Sequence, residues 1–250
     1  MSRAFAVLTI VLCACGAEVE GNAPFLPPDV DGGGGGGGGG DAAVGPDAPA
    51  CFNGRVVFLQ FEGQALAKGT SDATQNTASW MQIASGAAPP YESGNANRAQ
   101  KIQQITDGIT TLLSTFPITV VTQRPATGPY VMIVFGGNAQ QVGSRFGIGV
   151  QELDCNDATT KSDVAWITDG QSVQRTVNTA AGAIGFGLGL TATIDPLDCM
   201  CGWDNGCQAD NSQPCRLTTP TIARDPNARQ LCAGQTTQDE VATFTHAFCE

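Results

Sequence analysis

Residues 182–200 read GAIGFGLGLTATIDPLDCM, and this stretch is the most informative part of the chain about its fold. Glycine recurs at every second or third position in its first half, and Asp195-Pro196 precedes Met200 in its second half. A glycine inside a helix costs up to about 1 kcal/mol relative to alanine. We therefore expect a neighbouring element, packed closely against this segment, to stabilise it.

The residues that lead into this stretch predict a helix from about Ser172, a suitable N-cap, to about Leu188. Its core-facing stripe consists of apolar residues three or four positions apart: Val173, Val177, Ala181, Ile184 and Leu188. Gly182 and Phe186 are four apart and lie well round from this stripe, so they would face a different neighbour.

Further upstream, apolar runs predict four strands: 56–61, 118–123, 130–135 and 164–168. Helical spacing predicts an amphipathic helix over 97–116, which Pro117 ends, and a third helix over 238–248. The polar stretch 68–93 predicts a long loop. The chain therefore predicts an α/β (α+β) fold, with a mixed sheet of about four to five strands and two to three helices.

The order of these elements and the spacing within 182–200 resemble the metzincin zinc metallopeptidases. The signature of that family is H-E-x-x-H-x-x-G-x-x-H followed by a methionine turn. Gly189, Leu190, Asp195-Pro196 and Met200 stand where the frame of the family has its scaffold residues. The resemblance covers roughly residues 54–200 and implies a metzincin-like twisted mixed sheet, with Met200 in the methionine turn.

Each position of the frame that would bind zinc or act as a base holds a residue other than the one in the family signature. Gly182, Phe186 and Ala192 stand in place of the three histidines, and Ala183 stands in place of the glutamate base. None of these side chains can coordinate zinc or take up a proton. The only histidine, His246, cannot replace three ligands. We expect no catalytic residue, no metal and no cofactor at this site. The alternative is that GAIGFGLGLT is an ordinary small-residue helix whose match to the frame is accidental.

The cysteines predict export and disulfide bonds. Apart from Cys13 and Cys15 near the N-terminus, eight cysteines remain, most of them in a Cys-rich C-terminal part, 199–250: Cys51, Cys155, Cys199, Cys201, Cys207, Cys215, Cys232 and Cys249. An even set in an exported chain indicates disulfides, although the pairing cannot be read from the sequence. A metal–thiolate site is the alternative, but the paired C-x2-C spacing is missing.

The N-terminal residues 1–15 read as a signal peptide. A short apolar run ends in Leu12-Cys13-Ala14-Cys15, which resembles a bacterial lipobox with Cys15 as the lipidated residue. This predicts a membrane lipoprotein that faces the periplasm or the cell surface. Ordinary cleavage near this point, which would give a secreted protein, is the alternative.

Residues 16–50 predict a flexible linker, because they include nine consecutive glycines, 32–40, and glycine has no side chain with which to build a core. A linker of this length would span roughly 30 Å. We expect the folded domain to occupy 51–250.

The charge of the chain limits its partners. The formal net charge is −11, and the 12 Lys and Arg residues form no cluster, which argues against nucleic-acid binding. Asp204, Asn205, Asp210 and Asn211 could offer oxygens to Ca²⁺, but their spacing does not match an EF-hand, and a solvated loop explains them better.

Together these features predict a non-catalytic, metzincin-like pseudopeptidase that is anchored to the bacterial envelope by lipid. A cleft beside the fourth predicted strand could bind an extended peptide or protein segment by strand addition. Two alternatives remain open. One is a metal-dependent peptidase or other hydrolase with relocated ligands, and the other is a purely structural envelope lipoprotein.

Overall fold

The computed structural model describes residues 54–203, 207–218, 222–233 and 236–247. All of them belong to the second of the two units into which the chain divides, Pro46–Glu250. The predicted signal peptide with Cys15, the linker 16–50, Cys51 and Cys249 lie outside the described residues. Among the helices that are described, none has the length and apolar character needed to cross a membrane.

The strands are, in chain order, β1 (Arg55–Gln60), β2 (Gln64–Lys68), β3 (Thr77–Ala78), β4 (Ser85–Ala88), β5 (Ile118–Val121), β6 (Tyr130–Phe135), β7 (Gly149–Val150), β8 (Val164–Ile167), β9 (Ile222–Ala223) and β10 (Thr237–Gln238). The helices are α1 (Arg98–Leu113), α2 (Ala139–Val142), α3 (Val173–Gly187) and α4 (Glu240–Ala247). The predicted mixed α/β fold is confirmed, together with its disulfide-bonded C-terminal region.

A five-stranded sheet in the order β5-β1-β6-β8-β7 forms the centre of the fold. Its first four strands run parallel, and β7 pairs antiparallel with β8 at one edge. Every residue of β6 and β8 is buried, because helices and loops cover both faces of the sheet. The sequence predicted these four strands, although not their parallel direction, and it missed β7, whose two residues are too few to form a pattern.

A second, three-stranded sheet, β3-β2-β4, includes a few residues of the region 68–93 that the sequence predicted to be a loop. At β3 and β4 that prediction was wrong, because these strands are short and consist of small residues, and β4 has the sequence SGAA. Their hydrogen bonds depend on β2, which precedes the region. Trp80 joins the region to the central sheet, since its Nε1 donates a hydrogen bond to the carbonyl of Val164 at 2.7 Å.

The helix α3 is buried on nearly all sides, which differs from the one apolar stripe that the sequence predicted. On one side it packs against α1, where Gly108 is so close to Val177 that an added Cβ would lie 2.7 Å from Cγ2 of that valine. On another side lies the disulfide-bonded C-terminal part. Burial on several sides explains why a glycine-rich sequence remains helical, since packing rather than propensity stabilises the helix.

Candidate functional site

The segment 182–200 begins on α3 and leaves the helix through a glycine turn. Gly189 has a φ of +90°, which L side chains rarely adopt, and an added Cβ would lie 2.7 Å from the backbone nitrogen of Asn156. Leu190 N donates to the carbonyl of Gly185 at 2.9 Å, which ends the helix. Position 189 therefore requires glycine for two reasons: the backbone conformation is unfavourable for other residues, and the backbone of Asn156 leaves no room for a side chain.

A buried glutamine from the C-terminal part holds the chain just after this turn. Gln238 Oε1 accepts a hydrogen bond from Thr191 N at 2.9 Å, and its Nε2 donates to Thr191 O at 2.9 Å. The same amide accepts from Arg224 Nε at 3.2 Å and donates to Glu240 Oε1 at 2.9 Å. Gln238 thus pairs both backbone polar groups of a buried residue that belongs to no strand. No sequence pattern pointed to this contact.

The methionine turn predicted at Met200 packs beneath α3. Asp195 Oδ1 accepts from Leu197 N at 3.0 Å, and Asp198 Oδ1 accepts from Met200 N at 2.8 Å. The hydrogen bond from Leu197 N and the nearby Arg216 guanidinium lower the pKa of Asp195. Met200 is fully buried, and a Cβ added at Gly185 would lie 2.7 Å from its sulfur.

The four positions that depart from the zinc signature all lie in the interior. Gly182, Ala183 and Phe186 are on the last two turns of α3, Ala192 follows the glycine turn, and each is buried. Their side chains carry no atom that could coordinate a metal. His246 is exposed on α4, and no contact connects it to this segment within the described part of the chain.

Trp203 fills the space beside these positions. Its ring centroid lies 5.6 Å from that of Phe186, with the planes at 30°. A Cβ added at Gly182 would lie only 1.8 Å from Nε1 of Trp203 and 2.6 Å from the carbonyl oxygen of Cys199. The indole therefore occupies the place of a side chain at position 182. Sequence reasoning missed Trp203, because it lies beyond the signature.

An open cleft of about 530 Å³ lies next to this aromatic pair. Its described lining includes residues from the edge strand β7, from α3 and from the segment that follows Met200: Ile148, Gly149, Gln151, Arg175, Thr179, Phe186, Trp203, Cys207 and Asp210. The sequence predicted a cleft beside the fourth predicted strand, which is β8. The cleft lies one strand further out, beside β7.

The strand β7 presents backbone groups toward its outer edge. Thr168 N donates to Ile148 O at 2.9 Å, and Ile167 O accepts from Gly136 N on the opposite side. Gly149 lies opposite Ile167, one residue along from the hydrogen-bonded pair of Ile148 and Thr168. Gly149 and Ile167 therefore form a non-hydrogen-bonded pair of the antiparallel ladder. The N–H and C=O of Gly149 therefore point away from β8, and β7 is the last strand of the described sheet.

Two polar side chains of α3 line the same cleft. Arg175 is half-buried, and its guanidinium makes no hydrogen bond or ion pair with any residue that the structure describes. Asn178 is buried and joins α3 to the opposite wall: it accepts from Cys215 N at 3.0 Å and donates to Gln213 O at 3.1 Å. Asn178 fixes the wall of the cleft through these hydrogen bonds, and the guanidinium of Arg175 could pair with a carboxylate. The cleft is therefore suited to a ligand that carries a carboxylate.

Disulfides join six of the eight predicted cysteines: Cys155–Cys232, Cys199–Cys215 and Cys201–Cys207. The disulfide prediction is confirmed for these six, and the metal–thiolate alternative is wrong for them because their sulfurs are bonded to each other. The second and third bonds lie in the wall of the cleft that faces β7. The first attaches the segment between β7 and β8 to the C-terminal part.

Two buried carboxyl groups have raised pKa values. Burial raises the pKa of Glu240, and the charge of Asp198 acts in the same direction, although Thr218 N donates a hydrogen bond to the glutamate. Burial also raises the pKa of Asp163 to about 8, and Asp154 and Asp157 add to this effect.

The other acidic candidates give no site among the described residues. Asp210 accepts hydrogen bonds from Ser212 and Gln213, which lower the pKa of its carboxyl to about 2. Asp204 and Asn205 lie outside the described residues. Asp210 therefore stabilises its own turn.

Comparison with known proteins adds no family to these observations. No protein-family model matches the chain, and comparison with curated protein sequences gives no significant match.

Proposed function

We propose that this chain is a non-catalytic, metzincin-like pseudopeptidase of the bacterial envelope and that its cleft binds an extended peptide segment. The observation that carries the proposal is the position of Trp203. Its indole lies against Gly182 and beside Phe186, where the resemblance would place two of the three zinc ligands.

The loss of catalysis is supported by the chemistry of the residues. Hydrolysis by a peptidase of this type needs three metal ligands and a general base. Gly182, Phe186, Ala192 and Ala183 supply none of these groups. All four positions are buried, so the residues that stand there contribute to packing.

Peptide binding is supported by the edge strand. The outward N–H and C=O of Gly149 can pair with the backbone of an extended segment, which would add a strand to the sheet beside β7. The exposed side chain of Ile148 offers an apolar contact at the same edge. Arg175 supplies a positive charge for a carboxylate of the ligand.

A peptide-display selection on the full chain tests this binding. We expect the selected peptides to be extended and to carry an acidic side chain or a free C-terminus. Arg175→Gln should weaken their binding by roughly tenfold, the loss of one charged hydrogen-bonding partner. Lys68→Gln, an exposed change in the other sheet, should have no effect.

Hydrogen exchange provides a second readout. A bound peptide should slow exchange at the amide of Gly149, because that amide would become hydrogen-bonded. An empty selection would argue for the purely structural alternative. The proposed mode of binding would be contradicted by peptides that bind the Arg175→Gln variant as tightly as the native chain and do not slow hydrogen exchange at the Gly149 amide.

The envelope location rests on the N-terminal sequence, Leu12-Cys13-Ala14-Cys15. We propose that Cys15 carries the lipid and that 16–50 holds the domain away from the membrane. Fractionation of cells that express the full chain or its Cys15→Ala variant tests this. The native chain should be found with the membranes and the variant should not. Equal fractionation of the two would contradict lipid anchoring.

A further inference from the structure

Three buried aspartates meet behind the cleft, in the segment that connects β7 to β8. Asp154, Asp157 and Asp163 each place a carboxylate oxygen within 4.8 Å of the others. They are 4%, 4% and 2% exposed, so water screens their charges poorly. Three carboxylates at this depth need partners for their charges.

Two of the three aspartates have such partners. Asp157 forms ion pairs with Arg55 and with Lys161. Asp154 accepts hydrogen bonds from the backbone N–H groups of 158, 159 and 160 at 2.9 to 3.1 Å. Two cationic side chains thus face three carboxylates, and one negative charge remains when all three are ionised.

The least compensated of the three carboxyl groups is that of Asp163, and the side chain of Gln151 lies next to it. Asp163 Oδ2 and both polar atoms of the Gln151 amide make no hydrogen bond with the described residues. Gln151 is only 4% exposed. A Cβ added at Gly187 would lie 2.9 Å from Asp163 Oδ2 and 2.9 Å from Gln151 Nε2, so the two groups converge where a glycine leaves room.

Buried polar atoms without partners are rare, because such an atom loses its hydrogen bonds to water on folding and gains none in return. Carboxylate and amide oxygens are the ligands that Ca²⁺ prefers, and an exported protein meets this ion outside the cytoplasm. Rotation of the Gln151 amide by half a turn would direct its carbonyl oxygen toward Asp163.

We propose that a calcium ion binds between Asp163, Gln151 and Asp154. In this site Asp163 Oδ2 and Gln151 Oε1 are direct ligands, and Asp154 contributes the oxygen that faces them. The ion takes the place of the proton that the Asp163 carboxyl, with its pKa raised to about 8, would otherwise hold, and it keeps Gln151, which also lines the cleft, in place. The site is independent of the proposed peptide binding, because it would stabilise the domain whether or not the cleft is occupied.

Calcium titration of the full chain, after treatment with a chelator, tests the proposal. CaCl₂ at up to roughly 10 mM should raise the melting temperature by roughly 5 °C in a saturable way. Terbium should bind at the same place, give emission sensitised by a nearby tryptophan, and be displaced by CaCl₂. Trp166 lies three residues after Asp163 and is fully buried.

The Asp163→Asn variant should keep the fold, because a neutral amide of the same shape lowers the cost of burial, and its response to CaCl₂ should be at least tenfold weaker. Asp107→Asn, the same change at an exposed carboxylate on α1, should respond like the native chain. Two results would overturn the proposal. One is a native melting temperature that is unchanged by CaCl₂, which would favour a proton or a water at Asp163. The other is an undiminished response in Asp163→Asn.

Discussion

The indole of Trp203 lies against the backbone of Gly182, so close that a Cβ at that glycine would be 1.8 Å from Nε1. This contact links the last turns of α3 to the segment after Met200. In the frame that the sequence resembles, position 182 would carry a metal ligand. Here a glycine accommodates an aromatic ring instead.

The first prediction concerns this contact. Gly182→Ala should destabilise the domain by roughly 2 kcal/mol, because the cost of overpacking exceeds the better helix propensity of alanine. In a Trp203→Ala background the same change should cost less, although the carbonyl of Cys199 remains 2.6 Å away. Urea unfolding of the four proteins measures the coupling, which should be about 1 kcal/mol. Gly147→Ala is the control, since a Cβ there meets nothing within 4 Å.

A second prediction concerns Gln238. Gln238→Ala should lower the free energy of unfolding by roughly 3 kcal/mol, because it leaves the buried N–H and C=O of Thr191 without partners. Gln103→Ala, at an exposed glutamine on α1, should change it by less than about 0.5 kcal/mol. Chemical denaturation measures both. Similar values for the two variants would show that the Gln238 hydrogen bonds do not stabilise this segment.

The third prediction concerns pH. The pKa of Glu240 is raised in the folded protein above its ordinary value of 4.5, so the folded state holds this proton more tightly than the unfolded state. Its contribution to stability is therefore complete below about pH 4.5 and is lost as the pH rises through the raised pKa. Glu240→Gln should remove this part of the pH dependence, roughly 2 kcal/mol.

Glu152→Gln, at an exposed glutamate, should leave the pH profile unchanged. The stability of Glu240→Gln should still depend on pH to some extent, because Asp163 also has a raised pKa. Thermal unfolding between pH 5 and pH 9 is the measurement, and identical profiles for the native chain and Glu240→Gln would contradict the assignment.

The fourth prediction ranks two disulfides. Cys155–Cys232 joins residues 77 positions apart, and Cys201–Cys207 joins residues 6 apart. Loop-closure entropy predicts contributions of about 4 and about 2 kcal/mol respectively. Replacement of each pair by alanine, followed by denaturant unfolding, measures the difference. The reverse order would mean that loop entropy does not determine the effect of these bonds.

Much of the fold could be predicted from the sequence where the signal is local. The buried strands β1, β6 and β8 are apolar runs, and α1 and α3 have helical spacing. The even set of eight cysteines indicated disulfides, although not their pairing.

The remaining features depend on contacts between distant residues. The strand β7 has two residues, and the second sheet uses short strands of small residues that pair with β2. Trp203 follows the signature, and its role is defined by a glycine that lies 21 residues earlier, position 182 against position 203. The aspartate cluster has no recognisable spacing in the sequence. Its environment also depends on distant residues, Arg55 at the start of the sheet and Gly187 at the end of α3.

The central claim is that the segment 182–200 supports the fold without zinc chemistry. Zinc analysis of the purified full chain after incubation with excess zinc and dialysis, combined with a peptide-library cleavage assay, tests it most directly. We predict far less than one bound zinc per chain and no cleavage above the level of a heat-denatured sample. One zinc per chain, with peptide cleavage that a chelator abolishes and added zinc restores, would contradict the account.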